Sequence, residues 1–189
     1  MALSKWDFIY SQKEVKPNAS LVLTQNQHLL PSNGIALDLA CGQGGNALFL
    51  AERELDVSAW DLSSVAIEQL DQLGNLKSLT INTQVRDVVQ QPPEENSLDV
   101  LVVSFFLERL LCSDFIAALR PGGLLFYQTY CQQKVQPQGP TNPDFLLADN
   151  ELLALFSSMK VRVYREESLL GDQQRGWRNQ ALLVAEKSI

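Results

Sequence analysis

From Ile35 to the end of the chain, short apolar runs alternate with segments of helical spacing, and this rhythm constrains the fold more than any other feature. The run Ile35–Ala40 (IALDLA) is bounded by glycine-rich turns and reads as a strand buried on both faces. Further strands are expected over 57–61 (VSAWD), 79–87 (LTINTQVRD), 98–106 (LDVLVVSFF), 124–130 (LLFYQTY), 161–167 and 180–187. The intervening spacing predicts helices over 44–54, from Ser63 or Ser64 to Gly74-Asn75, over 107–120, and after Asn150 as cap. Strands alternating with helices imply an α/β fold, a doubly wound, mostly parallel, Rossmann-like sheet of seven strands. No helix separates the last two runs, so they are expected to close the sheet as an antiparallel pair. A chain of 189 residues suits one domain. Residues 1–34 would form its helical cap or lid, with a short helix over Ser20–Leu30, and 35–189 its α/β core.

Charge and cysteine usage exclude several classes. The net charge of −7, without a dense Lys/Arg run, argues against a nucleic-acid partner, although Arg175 and Arg178 could form a local basic pocket. Three widely spaced cysteines make neither a disulfide framework nor a metal cluster. The N-terminal MALSKWDFIYSQKE lacks the apolar stretch of a signal peptide, and no run of apolar residues is long enough to span a membrane. The expected compartment is cytoplasmic.

The first strand feeds LDLACGQGGNA (37–47), a glycine turn opening a helix. Such a turn brings bare backbone close to a ligand and presents helix N-terminal N–H groups. It is also compatible with a tight turn and no ligand. Gly42-Gln43-Gly44-Gly45-Asn46-Ala47 satisfies the dinucleotide pattern G-x-G-x-x-G/A as well, so an NAD(P)-dependent oxidoreductase is a competitor. Three acids arbitrate. Asp38 lies within a strand that a dinucleotide fold would keep apolar, and its buried carboxylate needs a partner: a ligand's ammonium group or loop N–H groups. Asp61 ends the second strand and could accept from two ribose hydroxyls. Asp87 ends the third expected strand and could accept from the exocyclic amine of adenine, with Val88 offering a backbone N–H and an apolar face. All three would lie along the crevice at the carboxyl ends of the strands.

Taken together, these segments resemble the class I S-adenosylmethionine-dependent methyltransferases over roughly residues 35–130, and most of all the small TehB-like group named for tellurite resistance. The supporting residues are LDLACGQGGNA, SAWDLS, VRDV, LDVLVVSFF and RPGGLLFY, with Lys5-Trp6-Asp7, Tyr10 and GPTNPDFLL. The resemblance implies S-adenosylmethionine as methyl donor, S-adenosylhomocysteine as product and a small-molecule acceptor that could be soft or anionic. It implies a cofactor site of Trp6, Tyr10, Asp38, Ala40, Cys41, Gly42, Gln43, Gly44, Asn46, Asp61, Leu62, Asp87, Val88, Ser104 and Phe105. Trp6 to Tyr10 would close over the cofactor, or else form a surface helix with Trp6 packed on the core. One departure stands out: related loops often carry Arg where this chain has Gly45-Asn46.

Methyl transfer needs alignment of donor and nucleophile more than a base. The single histidine, His28, sits in the preface and is read as structural, and Cys41 as loop packing. Arg109 and Tyr130 are the expected catalytic residues. Arg109 would hold an anionic acceptor or else pair with Glu108. Tyr130 is favoured over Tyr127, which alternates out of phase with it. Ser104, Phe105 and Phe106 would border the methyl, and Asn142 could close over the substrate. A non-catalytic, methyltransferase-like partner subunit is the remaining alternative.

Overall fold

The computed structural model describes residues 5–12 and 14–188; the first four residues of the expected lid lie outside them. Seven strands form one sheet in the order β3-β2-β1-β4-β5-β7-β6. They are β1 (Ile35–Leu39), β2 (Asp56–Asp61), β3 (Asn82–Val85), β4 (Leu98–Ser104), β5 (Leu119–Tyr130), β6 (Lys160–Arg165) and β7 (Gln180–Glu186). The first five run parallel, whereas β7 pairs antiparallel with both β5 and β6. The helices are α1 (Lys5–Ser11), α2 (Leu21–Gln25), α3 (Gly45–Ala51), α4 (Ser64–Lys77), α5 (Cys112–Ala118) and α6 (Glu151–Leu155). Successive strand residues point to opposite faces, so the apolar run of β4 serves two cores at once. Leu101 and Val103 join Leu37, Leu39 and Tyr127 beneath α5 and α6. Val100 and Val102 join Ala36 and Phe126 beneath α2 and α3.

Several expected boundaries move, each for a local reason. The third strand is Asn82–Val85, much shorter than 79–87, so Asp87 lies in the loop beyond it. Ser63 caps α4 by accepting from Ala66 N (3.2 Å), but the helix runs past Gly74-Asn75 to Lys77 and ends on Ser78 in the left-handed region. Helix α3 stops at Ala51, before a turn that closes at Glu54 (φ 63°). Instead of ending a helix before a fresh strand, Pro121-Gly122-Gly123 lies inside β5, where the register jumps between Leu98↔Leu119 and Val100↔Leu124. Asn150 makes no side-chain cap on α6.

The N-terminal segment is less separate than a lid. Val22 and Leu23 of α2 are wholly buried in the core, and Val22 N donates to Gln128 Oε1 within β5 (2.8 Å). The helix expected over Ser20–Leu30 is interrupted at Asn26, whose side chain turns back to Val22 O (2.8 Å). Among the described residues, no helix is long and apolar enough to cross a membrane.

Candidate active site

The crossovers reverse direction between β1 and β4, which opens a crevice at their carboxyl ends. The glycine turn lies there. Gly44 caps α3 at φ 77°, and the Leu70 side chain fills the space where a Cβ would sit. At Gly45 the constraint is a close approach: a Cβ would come within 2.3 Å of Asn18 O, so residues 14–20 lie directly on the loop. The side chain that related loops carry here has no room.

Asp38 is 1% exposed, accepting from Ala47 N (3.0 Å) and Asn46 Nδ2 (3.2 Å). Of the partners expected for it, loop N–H groups are therefore present. Burial pushes its carboxyl up to about 7, against the opposing hydrogen bonds from Asn46 and Ala47, while the nearby Asp61 pushes it further up. Asn46 is the hub of this network. Its carboxamide oxygen accepts from Ser20 N and Oγ (2.8 and 2.9 Å), and its nitrogen also donates to Ser104 Oγ (3.1 Å). Asp61, buried at the end of β2, accepts from Gly42 N (2.8 Å) and Ser63 N (2.9 Å). Its carboxyl is raised chiefly by burial. Neither Asp38 nor Asp61 has a Lys or Arg ion pair among the described residues.

Helix α1 lies over the turn. The Tyr10 hydroxyl is 2.6 Å from where a Gly42 Cβ would be, so this ring faces bare backbone. Burial raises its phenol, and Asp61, Cys41 and Asp38 raise it further. Trp6 is 46% exposed and tilts toward Tyr10, their centroids 6.4 Å apart. What fixes α1 is Asp7, which was quoted in the resemblance but given no role. Its buried carboxylate accepts from Ser63 Oγ (2.7 Å) and Val65 N (3.3 Å) at the start of α4. Gln69 Nε2 donates to Tyr10 O (3.3 Å), and Gln43 Nε2 to Gln69 Oε1 (3.0 Å) and Glu14 O (3.4 Å). The i, i+3 spacing of Asp7 and Tyr10 was the available signal, since it puts both on one helix face.

The other expected residues divide. Ala40 (φ 54°) and the half-buried Cys41 complete the turn, and burial raises the Cys41 thiol. Leu62 is exposed beside Asp61. Asp87 does not join the buried acids: it is exposed and accepts from Val89 N (3.0 Å), while the Val88 side chain is buried in the core. His28 is exposed on the N-terminal segment.

At the β4–β5 end, Phe105 is 49% exposed and left-handed (φ 57°), an arrangement that costs a bulky residue about 1–3 kcal/mol. Its ring packs on Tyr130 (centroids 5.1 Å apart). Tyr127 is wholly buried with its hydroxyl on Phe106 O (2.8 Å), so Tyr130 is the tyrosine at the crevice. Arg109 pairs with Glu151 rather than Glu108, donating from Nε (2.5 Å) and Nη2 (3.0 Å), and also reaches Asp144 O (2.5 Å) and Leu146 O (3.0 Å). Asn142 is spent on Asp144 N (3.1 Å). Arg178 donates to loop carbonyls, including Ser168 O (2.9 Å) and Asp172 O (2.8 Å), so it closes its own loop.

This sheet order, with its antiparallel last strands and a glycine turn at the switch point, is the methyltransferase fold. The crystal structure of TehB from Haemophilus influenzae superposes with a TM-score of 0.74 at 24% identity, covering 97% of this chain and 68% of that one. A geranyl diphosphate C-methyltransferase from Streptomyces coelicolor, solved with Mg2+, geranyl diphosphate and S-adenosylhomocysteine, superposes at 0.68 with 14% identity, covering 88% and 79%. The chain belongs to the TehB family: the family described as "Tellurite resistance protein TehB" matches residues 1–175. Two Haemophilus influenzae proteins named "Probable S-adenosyl-L-methionine-dependent methyltransferase TehB" are 29% and 36% identical over 136 residues, 69% of this chain. The chain spans about half the length of these curated relatives (47%).

Proposed function

We propose that the protein is a methyltransferase that binds S-adenosylmethionine over the glycine turn and methylates a small molecule. The observation that carries this reading is the pair of buried carboxylates, Asp38 and Asp61, held by hydrogen bonds and with no Lys or Arg ion pair among the described residues. Burial of such charge is unfavourable until a positive group arrives. S-adenosylmethionine brings both an ammonium and a sulfonium, whereas the pyrophosphate of NAD would bring more negative charge to the same place. The donor set fits: carboxylates are acceptor-only with several lone pairs each, so Asp61 can take ribose hydroxyls while keeping Gly42 and Ser63.

In this reading Asp38 faces the ligand's ammonium through the Asn46 network, and Tyr10 and Trp6 cover the nucleoside. Gln43, Gly42, Gly44, Ala40, Cys41 and Leu62 shape its bed. Ser104 and Phe105 border the methyl, and Asp87 with Val88 meets the adenine edge from the rim. The bound donor supplies an activated methyl group; the chain's own residues align it and exclude water. Arg109 positions the loop before α6, and Tyr130 walls the acceptor. Three free thiols, Cys41, Cys112 and Cys131, fit a reducing, cytoplasmic compartment.

Isothermal titration of the full chain with S-adenosylhomocysteine and with NAD tests this. S-adenosylhomocysteine is expected to bind and NAD not. Because Asp38 titrates near 7 and an ammonium favours its ionised form, affinity should rise between pH 6 and pH 8, by at most about tenfold per unit. NAD binding, or S-adenosylhomocysteine affinity that is flat with pH, contradicts the assignment of these carboxylates. Asp61→Asn, which keeps one acceptor for the loop, should weaken binding by about tenfold or more.

A further inference from the structure

A buried amide stands where the sheet is otherwise apolar. Gln128 of β5 is 2% exposed; it shares its face of the sheet with Phe126 and, through the Ser104↔Gln128 pairing, with Ser104. An amide withdrawn from water there is unfavourable unless both its ends are bonded. Both are: Oε1 accepts from Val22 N (2.8 Å), and Nε2 donates to Gln180 Oε1 (2.7 Å). A backbone N–H can only donate, so the Val22 contact fixes which end of the amide faces α2.

Helix α2 begins without a cap of its own, since Ser20 makes no side-chain bond to the helix N–H groups. Two amides from the core hold its start instead. Asn46 Oδ1 takes Ser20 N and Oγ (2.8 and 2.9 Å), and Gln128 Oε1 takes Val22 N. The residues just before these two points are the ones that lie on the glycine turn. Asn18 O is what a Gly45 Cβ would strike, and Glu14 O accepts from Gln43 Nε2 (3.4 Å). Asn46 is itself part of that bed, bonded to Asp38. Among the described residues the Gln128 side chain bonds only to Val22 and Gln180, so it reaches the bed only through α2.

Resting on the methyltransferase reading above, we infer that Gln128 is a positioning residue for the methyl donor: its side-chain oxygen sets where α2 begins and thereby how closely residues 14–20 cover the glycine turn. Without that oxygen, Val22 N is a buried donor with no acceptor. The start of α2 then shifts outward until water reaches Val22 N, and it carries residues 14–20 off the turn. A nucleoside bound beneath them has to draw the helix back, so it binds more weakly and leaves faster. Gln180 supplies the contrast. It is the other partner of the same amide, yet its side chain makes no hydrogen bond to α2 among the described residues.

The test uses the full chain and S-adenosylhomocysteine. Gln128→Met and Gln180→Met keep an unbranched side chain of similar length and delete one amide each. Gln128→Met should bind S-adenosylhomocysteine about tenfold more weakly, mainly through faster dissociation, whereas Gln180→Met should stay within about twofold of the unsubstituted protein. Hydrogen exchange of the unsubstituted protein asks the same question without a variant. S-adenosylhomocysteine should slow exchange at Val22 N by a larger factor than at Val184 N in β7, because global stabilisation alone slows both alike. Unchanged affinity in Gln128→Met, an equal loss in both variants, or equal slowing at Val22 and Val184 overturns the role of Gln128 alone. If Gln128→Met does not fold, the exchange comparison decides. Failure of the unsubstituted protein to bind S-adenosylhomocysteine overturns the methyltransferase reading together with it.

Discussion

At the β1–β2 end of the crevice the two buried carboxylates accept from groups no more than 19 residues away in sequence: Asp38 from Asn46 and Ala47, Asp61 from Gly42 and Ser63. At the β4–β5 end the ties are long. Arg109 reaches Glu151 across 42 residues, and Gln128 reaches Val22 across 106. The first end buries its charge and is covered by residues 14–20 and α1; the second exposes aromatic rings and keeps its charges in ion pairs or on carbonyls. The difference separates two ways of building. The first end is made from one turn and the two strands beside it, whereas the second is assembled from distant segments and loops, which can change without disturbing the first.

The contrast predicts unequal sensitivity to substitution. Asp38→Asn strikes hardest, because an amide cannot satisfy both Asn46 and Ala47, leaving a buried donor unpaired. The expected loss is about 2–3 kcal/mol, or roughly 5–10 °C in Tm by calorimetry. The same variant should flatten a pH dependence. A carboxyl raised to about 7 in the fold contributes stability that is fully present below its unfolded value near 4 and is lost as pH rises through 7. Denaturant titrations of both proteins at pH 5 and pH 8 read that slope. If the two slopes match, Asp38 is not the titrating group.

Gly45→Ala comes next, since its methyl would collide with Asn18 backbone. A cost of about 1–3 kcal/mol is expected, together with faster hydrogen exchange at Ser20 N. A neutral effect would mean that residues 14–20 do not lie on the loop. At the other end, Glu151→Gln should cost about 1 kcal/mol or less, because the ion pair is partly exposed. Arg109 holds the Glu151 carboxyl below its ordinary value, so this contribution is present at neutral pH and lost as pH falls through the carboxylate range. Asp87→Ala should be mildest, about 0.5–1 kcal/mol for one turn-capping bond in urea denaturation. A larger loss would place Asp87 in the buried network from which its exposure separates it.

Much of this fold was legible because a strand covered on both faces must be apolar at every position, as Leu98 to Val103 nearly is. The glycine turn and Asp38 were legible for the opposite reason: they are anomalies in such a run. Gln128 carried the same signal, a polar residue within Leu124–Tyr130, and went unread. The end of β3 was not legible, since no Gly or Pro stands between Val85 and Asp87 to mark where pairing with β2 stops. Arg109 illustrates a further limit. Sequence offered Glu108 as its neighbour, but only the packing of α6 brings Glu151 to it.

By itself, then, the sequence determined the strand–helix order, the position of the glycine turn and that Asp38 would be forced into the core. Those follow from local backbone preference and from the cost of burying polar groups, both carried by a few adjacent residues. Tertiary structure alone decided that Asp87 stays outside, that Arg109 is committed to Glu151, and that Asp7 fastens α1 to α4. Each depends on which distant segments meet, and a side chain's charge does not specify its partner until the sheet has brought them within hydrogen-bonding distance.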